Sequence, residues 1–312
     1  MADGWGGASM ALPTKLVLPR QYPPANQFGR AGTKLRGANL SGENLSRVDF
    51  TRADLSGTNL EQVQLIDAQM ADANLSGAII TRANLTAANL RRANLLGAVL
   101  MSTTLNHTAL FQANLAGANL TEADLYEANL TEADLSYTML RRASLAGANL
   151  SRACMYRVNA NGAELYGIEG SGTQLKYAQL QGCDLRRAHL NHTDLTKTIL
   201  TRANLNQATL IGTLAKNATF QHANLAGVNI TQSCLESANL QQAVMVHATL
   251  IDVDLSGANL QYTQLDYALI QGSLLHNLLW HQTSVKGTHF CQVIGLSKAE
   301  QAWLRSQGAI IT

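Results

Sequence analysis

The chain repeats one five-residue arrangement of apolar and polar positions from residue 35 to residue 290. A large apolar residue occupies every fifth position, and a small or β-branched residue, usually Ala, lies two positions before it. The other three positions are chiefly polar or Gly. Of the 52 units, 38 have Leu at the centre. A period of five fits neither a helix, at about 3.6 residues, nor a strand, at about two, so it predicts a chain that turns a corner every five residues.

Individual units carry a family resemblance. Residues 53–55 and 123–125 read ADL, and residues 83–85 read ANL. They resemble the pentapeptide-repeat family, whose consensus is A(D/N)Lxx, over about four-fifths of the chain. The resemblance implies an all-β fold, a right-handed quadrilateral parallel β-helix with four units per coil and so about 13 coils. With strands ~4.8 Å apart the shaft would be roughly 60 Å long, with the central Leu and the preceding small residue pointing inward.

The two ends differ in composition from the repeat. Residues 1–30 contain all four prolines and no repeat, so we expect an extended, basic segment that either docks on a partner or caps the first coil. Residues 31–290 are expected to form the β-helix. Residues 291–312 are expected to cap its other end, because terminal coils otherwise expose strand edges.

The last segment contains helix signals. Ser297 and Glu300 have the spacing of a capping box, which predicts a short helix through Gln307. Gly308 is a typical residue for ending such a helix. The apolar residues expected to close the last coil are Leu296, Trp303 and Leu304.

Three unit centres depart from the large apolar pattern. Ala160, Gly170 and Ala215 occupy positions where Leu is usual. Small side chains at these centres predict a thinner core, with a local bend or an occupied cavity, unless the variation is simply tolerated.

The charges are few and unevenly distributed. The formal net charge of +2 is too small to indicate binding of nucleic acid or an anionic membrane by the chain as a whole. Residues 4–42 carry +5, residues 43–134 carry −6 and residues 135–312 carry +4. The basic first segment therefore suggests an acidic partner.

One acidic coil raises an alternative function, because some pentapeptide-repeat proteins resemble DNA in shape and charge and inhibit topoisomerases. Arg142 and Arg152 follow two of its acids by twenty residues, so we expect local ion pairs there instead of a free acidic surface. A mimic of nucleic acid should also be acidic overall, which this chain is not. The acids of the coil are Glu122, Asp124, Glu127, Glu132 and Asp134.

The residues that usually carry chemistry are scattered. Residues twenty apart are expected to stack on adjacent coils, yet no His lies twenty residues from another His or from a Cys. The densest local group, His189, His192 and Asp194, lacks a fourth metal ligand. There is no phosphate-binding glycine motif and no nucleophile elbow. We therefore expect no catalytic residue, no cofactor and no metal, and hence no enzyme.

Candidate partner-binding residues fall into two groups. One is a column of Tyr137, Arg157 and Tyr177, spaced by twenty, since Tyr and Arg are favoured at binding hot spots. An equally good interpretation is a stack that only stabilises the shaft. Residues flanking this column are Tyr156, Lys176 and Lys197. The second group, in the first segment, is Trp5, Lys15, Arg20, Tyr22, Phe28 and Arg30.

These features predict a non-catalytic linker or scaffold that holds partner proteins in a larger assembly. The family is abundant in cyanobacteria, so by analogy a phycobilisome or other photosynthetic-complex linker, with acidic phycobiliproteins as partners, is the specific expectation. The alternative is the topoisomerase regulator. The four cysteines show no disulfide framework, and neither an apolar signal stretch nor a transmembrane run occurs. We expect a cytoplasmic protein, at most associated with the cytoplasmic face of a thylakoid or other internal membrane.

Overall fold

The computed structural model describes residues 30–312. Up to residue 294 the chain winds through successive coils that pair with one another in parallel. The isolated parallel bridges between Lys34 and Ile294 each join two residues that are twenty positions apart. Four five-residue units therefore complete one turn of the coil, as expected. The regular elements are β1 (Asn229–Thr231), β2 (Thr249–Ile251), β3 (Leu269–Gln271), β4 (His289–Cys291), α1 (Lys298–Ser306) and β5 (Ile310–Ile311). The strands form one parallel sheet in chain order.

The core is a ladder of unit centres and of the small residues before them. Leu85 and Ala83, for example, are 0% and 2% exposed. The prediction that these two positions point inward is confirmed along the shaft. Each coil buries only a few Leu and Ala side chains, so apolar burial is spread along the axis, and adjacent coils stabilise one another.

The Asn or Asp of the consensus bonds to the backbone of its own corner. The Asp54 Oδ1 accepts a hydrogen bond from the Ser56 backbone N–H at 3.1 Å and another from its hydroxyl at 2.7 Å. These bonds, the hydroxyl first, lower the pKa of Asp54. Asn94 makes the same corner bond and also donates from Nδ2 to the Asn74 Oδ1 at 3.1 Å. A short side chain that accepts a hydrogen bond from the N–H two residues later favours a turn. This explains why Asn and Asp recur at this position of the repeat.

Polar residues on the inside have a fixed hydrogen-bond partner. The Thr138 hydroxyl donates to the Leu115 carbonyl at 2.9 Å, and the Ser233 hydroxyl donates to the Leu210 carbonyl at 2.6 Å. In both cases the acceptor lies 23 residues earlier. A hydroxyl at this inward position is thus satisfied without disturbing the ladder.

The core near Gly170 is not left open. A Cβ at this position would lie 2.9 Å from the Leu190 Cδ2 and 3.3 Å from the His189 carbonyl oxygen. Leu190, one coil further on, therefore fills the space of the missing side chain. The residual cavity beside it is about 10 Å³ and is lined almost entirely by apolar residues. A cavity of that size holds at most one water, so it leaves no room for a larger ligand.

The C-terminal segment contains the predicted helix. Helix α1 covers Lys298–Ser306, one residue shorter than expected, and the capping box between Ser297 and Glu300 is present. Leu304 is fully buried, and the Trp303 ring lies 6.3 Å from the Trp280 ring. After α1, β5 pairs with β4 and extends the sheet. None of the helices within residues 30–312 combines the length and apolarity needed to cross a bilayer.

Each corner needs one residue in the left-handed region of backbone space. Gly97 has φ +62° with no atom near the position of a Cβ, and Ala87 holds the equivalent place with φ 56°. The conformation costs an L-residue about 1 kcal/mol relative to Gly. We predict that Gly97→Ala lowers the free energy of unfolding by about 1 kcal/mol, whereas Ala87→Gly raises it or leaves it unchanged. Urea denaturation measures both, and equal losses in the two variants would contradict this account.

Gly170→Ala is expected to destabilise the shaft by roughly 1 to 3 kcal/mol, because the new methyl group collides with the Leu190 side chain. The collision partner provides the control. In a Leu190→Ala background the same change should cost much less, so the two substitutions should be strongly non-additive in urea denaturation. Additive losses would show that Leu190 does not occupy the space beside Gly170.

Candidate interaction surface

Six exposed or half-buried residues cluster at one corner of four successive coils. The predicted column of Tyr137, Arg157 and Tyr177 is present, and Lys197 continues it. Tyr156 and Lys176 precede two of these residues at the same corner. We call this group the aromatic corner, and its members are Tyr137, Tyr156, Arg157, Lys176, Tyr177 and Lys197.

The rings of the aromatic corner form one continuous stack. The Tyr156 ring lies 5.6 Å from the Tyr137 ring and 5.7 Å from the Tyr177 ring, edge to face in both cases. Tyr156 was predicted only as a flanking residue, but it joins the two tyrosines of the column. Such geometry is favourable for aromatic pairs and orders all three rings.

The cations of this corner lie over tyrosine faces. The Arg157 guanidinium is 5.4 Å from the Tyr156 ring centre and 5.5 Å from that of Tyr177. The Lys176 and Lys197 Nζ atoms are each 5.6 Å from the Tyr177 ring centre. These contacts are the ones expected of a stack that stabilises the shaft. The group nevertheless faces solvent, since Tyr137 is 57% exposed.

The three cations form no ion pair with a described residue. Within residues 30–312, no carboxylate lies within 4.0 Å of Arg157, Lys176 or Lys197. The neighbouring acids Asp134 and Asp194 instead accept hydrogen bonds, at 2.9 and 2.8 Å, from backbone N–H groups of their own corners. The corner is therefore a small positive surface with aromatic walls.

Two apolar side chains adjoin this surface, and the sequence analysis missed them. Met139 and Ile199 follow Tyr137 and Lys197 by two residues and are 43% and 37% exposed. Both occupy the outward position where the consensus has Asn or Asp. A large apolar residue at that position was the signal that could have revealed them.

The two ion pairs predicted for the acidic coil are present. Arg142 and Glu122 approach to 3.9 Å, and Arg152 and Glu132 to 3.5 Å. Both pairs are exposed, so each contributes only ~0.2 to 1 kcal/mol. Pairing nevertheless removes two free negative charges from this side of the shaft.

One group of potential metal ligands occurs within the described part of the chain. The Cys234 Sγ and carboxylate oxygens of Glu236 and Asp254 lie within 4.8 Å of one another. The Lys216 Nζ already binds the Glu236 Oε2 at 2.7 Å, a hydrogen bond that raises the pKa of Lys216. The sequence test missed the group because it compared only His and Cys. His189, by contrast, contacts the Glu169 carboxylate at 3.0 Å.

The candidates in the first segment are outside the described residues, except for Arg30, which is exposed. The candidates concerned are Trp5, Lys15, Arg20, Tyr22 and Phe28.

Comparison with known proteins identifies the family. The model for pentapeptide repeats matches in overlapping copies that cover residues 31–167 and 171–272. The chain is a member of the pentapeptide repeat family. The parallel coil is accordingly a right-handed β-helix. Pentapeptide-repeat proteins are generally non-enzymatic structural or interaction proteins. Between residues 31 and 272 the match has one gap, residues 168–170. This gap contains Gly170, which occupies a unit centre where Leu is usual.

Several solved structures resemble this pentapeptide-repeat chain. HetL, involved in the regulation of heterocyst differentiation in the cyanobacterium Nostoc, is 26% identical over 85% of this chain and 92% of its own, with a TM-score of 0.31. Rfr23 from the cyanobacterium Cyanothece is 20% identical over 38% and 91%, with a TM-score of 0.31. QnrB1, a plasmid-mediated fluoroquinolone resistance protein, is 18% identical over 65% and 95%, with a TM-score of 0.37. No curated protein sequence matches significantly.

Cys183 is a buried thiol whose titration should affect stability. Its Sγ donates to the Ala160 carbonyl at 2.8 Å, and burial raises the pKa of Cys183 to about 12. The folded-state pKa exceeds the ordinary value of 9.0. The protonated Cys183 thiol therefore makes its full contribution to the free energy of unfolding below about pH 9, and this contribution is lost as the pH rises towards 12. The change amounts to a few kcal/mol.

We predict that Cys183→Thr removes this part of the pH dependence, since Thr retains the hydrogen bond and does not titrate. Urea denaturation of both proteins between about pH 8 and 11 measures the difference. Alkylation provides a second readout, because Cys183 should react only after unfolding while the half-buried Cys154, Cys234 and Cys291 react in the folded protein. Parallel pH curves for the two proteins would contradict the assignment.

Proposed function

We propose that this chain is a non-catalytic scaffold, a stiff shaft that holds partner proteins at defined positions in a larger assembly. The observation that carries the proposal is the aromatic corner. Ordered tyrosine rings and cations without a carboxylate partner are typical of binding hot spots, and they stand on a backbone paired coil to coil. Preorganised side chains lose little conformational entropy when a partner binds.

The proposed organisation has three parts. The basic residues 1–30 dock on an acidic partner, residues 31–290 form a shaft of about 13 coils, and residues 291–312 cap it through α1. Support for the cap comes from Leu304, which is fully buried. Support for the docking segment is its charge, since Lys15, Arg20 and Arg30 outnumber its one acid, Asp3, and give residues 1–30 a net charge of +2.

The assembly we propose is a phycobilisome or another photosynthetic complex, with phycobiliproteins as acidic partners and the scaffold at the cytoplasmic face of a thylakoid. The basic first segment supports an acidic protein partner. A topoisomerase regulator that mimics nucleic acid would need a continuous acidic surface. The pairs Arg142–Glu122 and Arg152–Glu132 weaken the acidic coil, so the scaffold is the better supported function.

Native mass spectrometry of the complex isolated at low salt tests this proposal. The intact chain is expected to carry stoichiometric protein partners, and deletion of residues 1–30 is expected to release at least one of them without unfolding the shaft. Circular dichroism and thermal unfolding of the shortened chain serve as the control. A protein that remains free of stoichiometric partners in both forms would overturn the scaffold function.

A further inference from the structure

We infer that the aromatic corner binds an extended acidic segment of a partner protein, which lies along the shaft axis and is recognised chiefly by side chains. The inference rests on the proposed scaffold function and adds the position, the chemistry and the direction of one contact. Its starting point is the positive surface formed by Arg157, Lys176 and Lys197.

The charge of the corner favours a carboxylate-bearing ligand. Within residues 30–312 the three cations have no acidic partner within 4.0 Å, and the acids beside them accept hydrogen bonds from the backbone of their own corners. The Arg157 guanidinium is already held between Tyr156 and Tyr177, so its donors are oriented before binding. A planar guanidinium in a fixed position suits bidentate contact with a carboxylate.

The shape of the corner favours an extended segment. Residues 137 and 197 are three coils apart, which at ~4.8 Å per coil gives a strip of roughly 14 Å. An extended chain advances ~3.3 Å per residue, so four or five residues span the strip, and alternate side chains face it. Met139 and Ile199 border the strip on the adjoining side of the shaft, where they offer apolar contacts. The expected ligand therefore alternates acidic and apolar residues.

The main-chain N–H groups of the column at this corner are already used within the shaft. The N–H groups of Tyr137, Arg157 and Tyr177 donate to carbonyls of the next coil at 2.9, 3.1 and 3.1 Å. These donors are not available to an added strand, whereas the side chains of the corner are available. Recognition consequently depends on carboxylate contacts with the cations and on the tyrosine hydroxyls.

Three other occupants fit less well. Residues 1–29 of the same chain contain a single acid, Asp3, and are basic, so their charge opposes binding. A second copy would present its acidic coil, but two of those acids are paired with arginines. A nucleic acid repeats its charge along its length and would extend past the ends of the strip, where the next residues of the column, Gly117 and Asn217, carry no charge. An acidic protein segment is the ligand that matches both the length and the charge.

The test uses the full-length protein and a fluorescent peptide of about eight residues that alternates Asp and Leu. Fluorescence anisotropy at low salt should show binding that weakens as salt is added. The double variant Arg157→Gln with Lys197→Gln should bind about tenfold more weakly. Gln already occupies the equivalent corner position at Gln62 and Gln112, so the backbone tolerates it. Thermal unfolding verifies that the variants are folded.

Arg202→Gln is the matched control. Arg202 has the same position within its five-residue unit and a positive φ, and no carboxylate of residues 30–312 lies within 4.0 Å of it, but it lies at the next corner of the coil. Its substitution should change binding less than twofold. An equal loss in Arg202→Gln, equal binding of a peptide with Asn in place of Asp, or no binding by the unaltered protein would overturn the inference. Tighter binding of oligothymidylate than of the peptide, or dimerisation lost in the double variant, would also overturn it and would assign the corner to nucleic acid or a second copy.

The scaffold function is distinguished by a separate readout. If native mass spectrometry shows stoichiometric partners that the double variant retains, the aromatic corner is not their contact and only this inference fails. If the peptide binds as expected but no stoichiometric partner exists, the scaffold function fails while the acidic-peptide site remains.

Discussion

Pairing between each residue and the one twenty positions further along the chain is the constraint on which the whole molecule depends. It places equivalent positions of successive coils above one another, so a column in space is an arithmetic series in the sequence. Leu and Ala ladders fill the inside, and hydroxyls there donate to a carbonyl 23 residues earlier. Without this pairing no single coil could bury enough apolar surface to be stable.

Because residues twenty apart lie above one another, side chains changed at one position of successive coils form a continuous surface. Five glycines, from Gly37 to Gly117, hold one corner column before Tyr137 begins the aromatic corner. The backbone is the same on both sides of this boundary, and only the side chains change. A rigid shaft can therefore present a patch of defined length and charge at a fixed distance from its other surface patches, which is what a scaffold requires.

Much of the fold followed from the sequence because its rules are periodic or local. The inward ladder, the Arg152–Glu132 pair and the capping box of α1 needed only a spacing of five, twenty or three residues. Contacts that depend on side-chain length and rotamer were not predictable. Tyr156 bridges two rings of the column diagonally, and Leu190 fills the space beside Gly170. The Cys234 cluster was missed because the comparison at a spacing of twenty covered only His and Cys, although Asp254 follows Cys234 by twenty.

Carbodiimide cross-linking of the native assembly, read by mass spectrometry, tests the central claim most directly. This reagent joins an amine to a carboxylate in contact with it, so it reports both the position and the chemistry of the partner. A scaffold that docks an acidic segment at the aromatic corner should give cross-links from Lys176 and Lys197 to Asp or Glu residues of a stoichiometric partner. Cross-links only from Lys286 and Lys298, or none to another protein, would contradict the account.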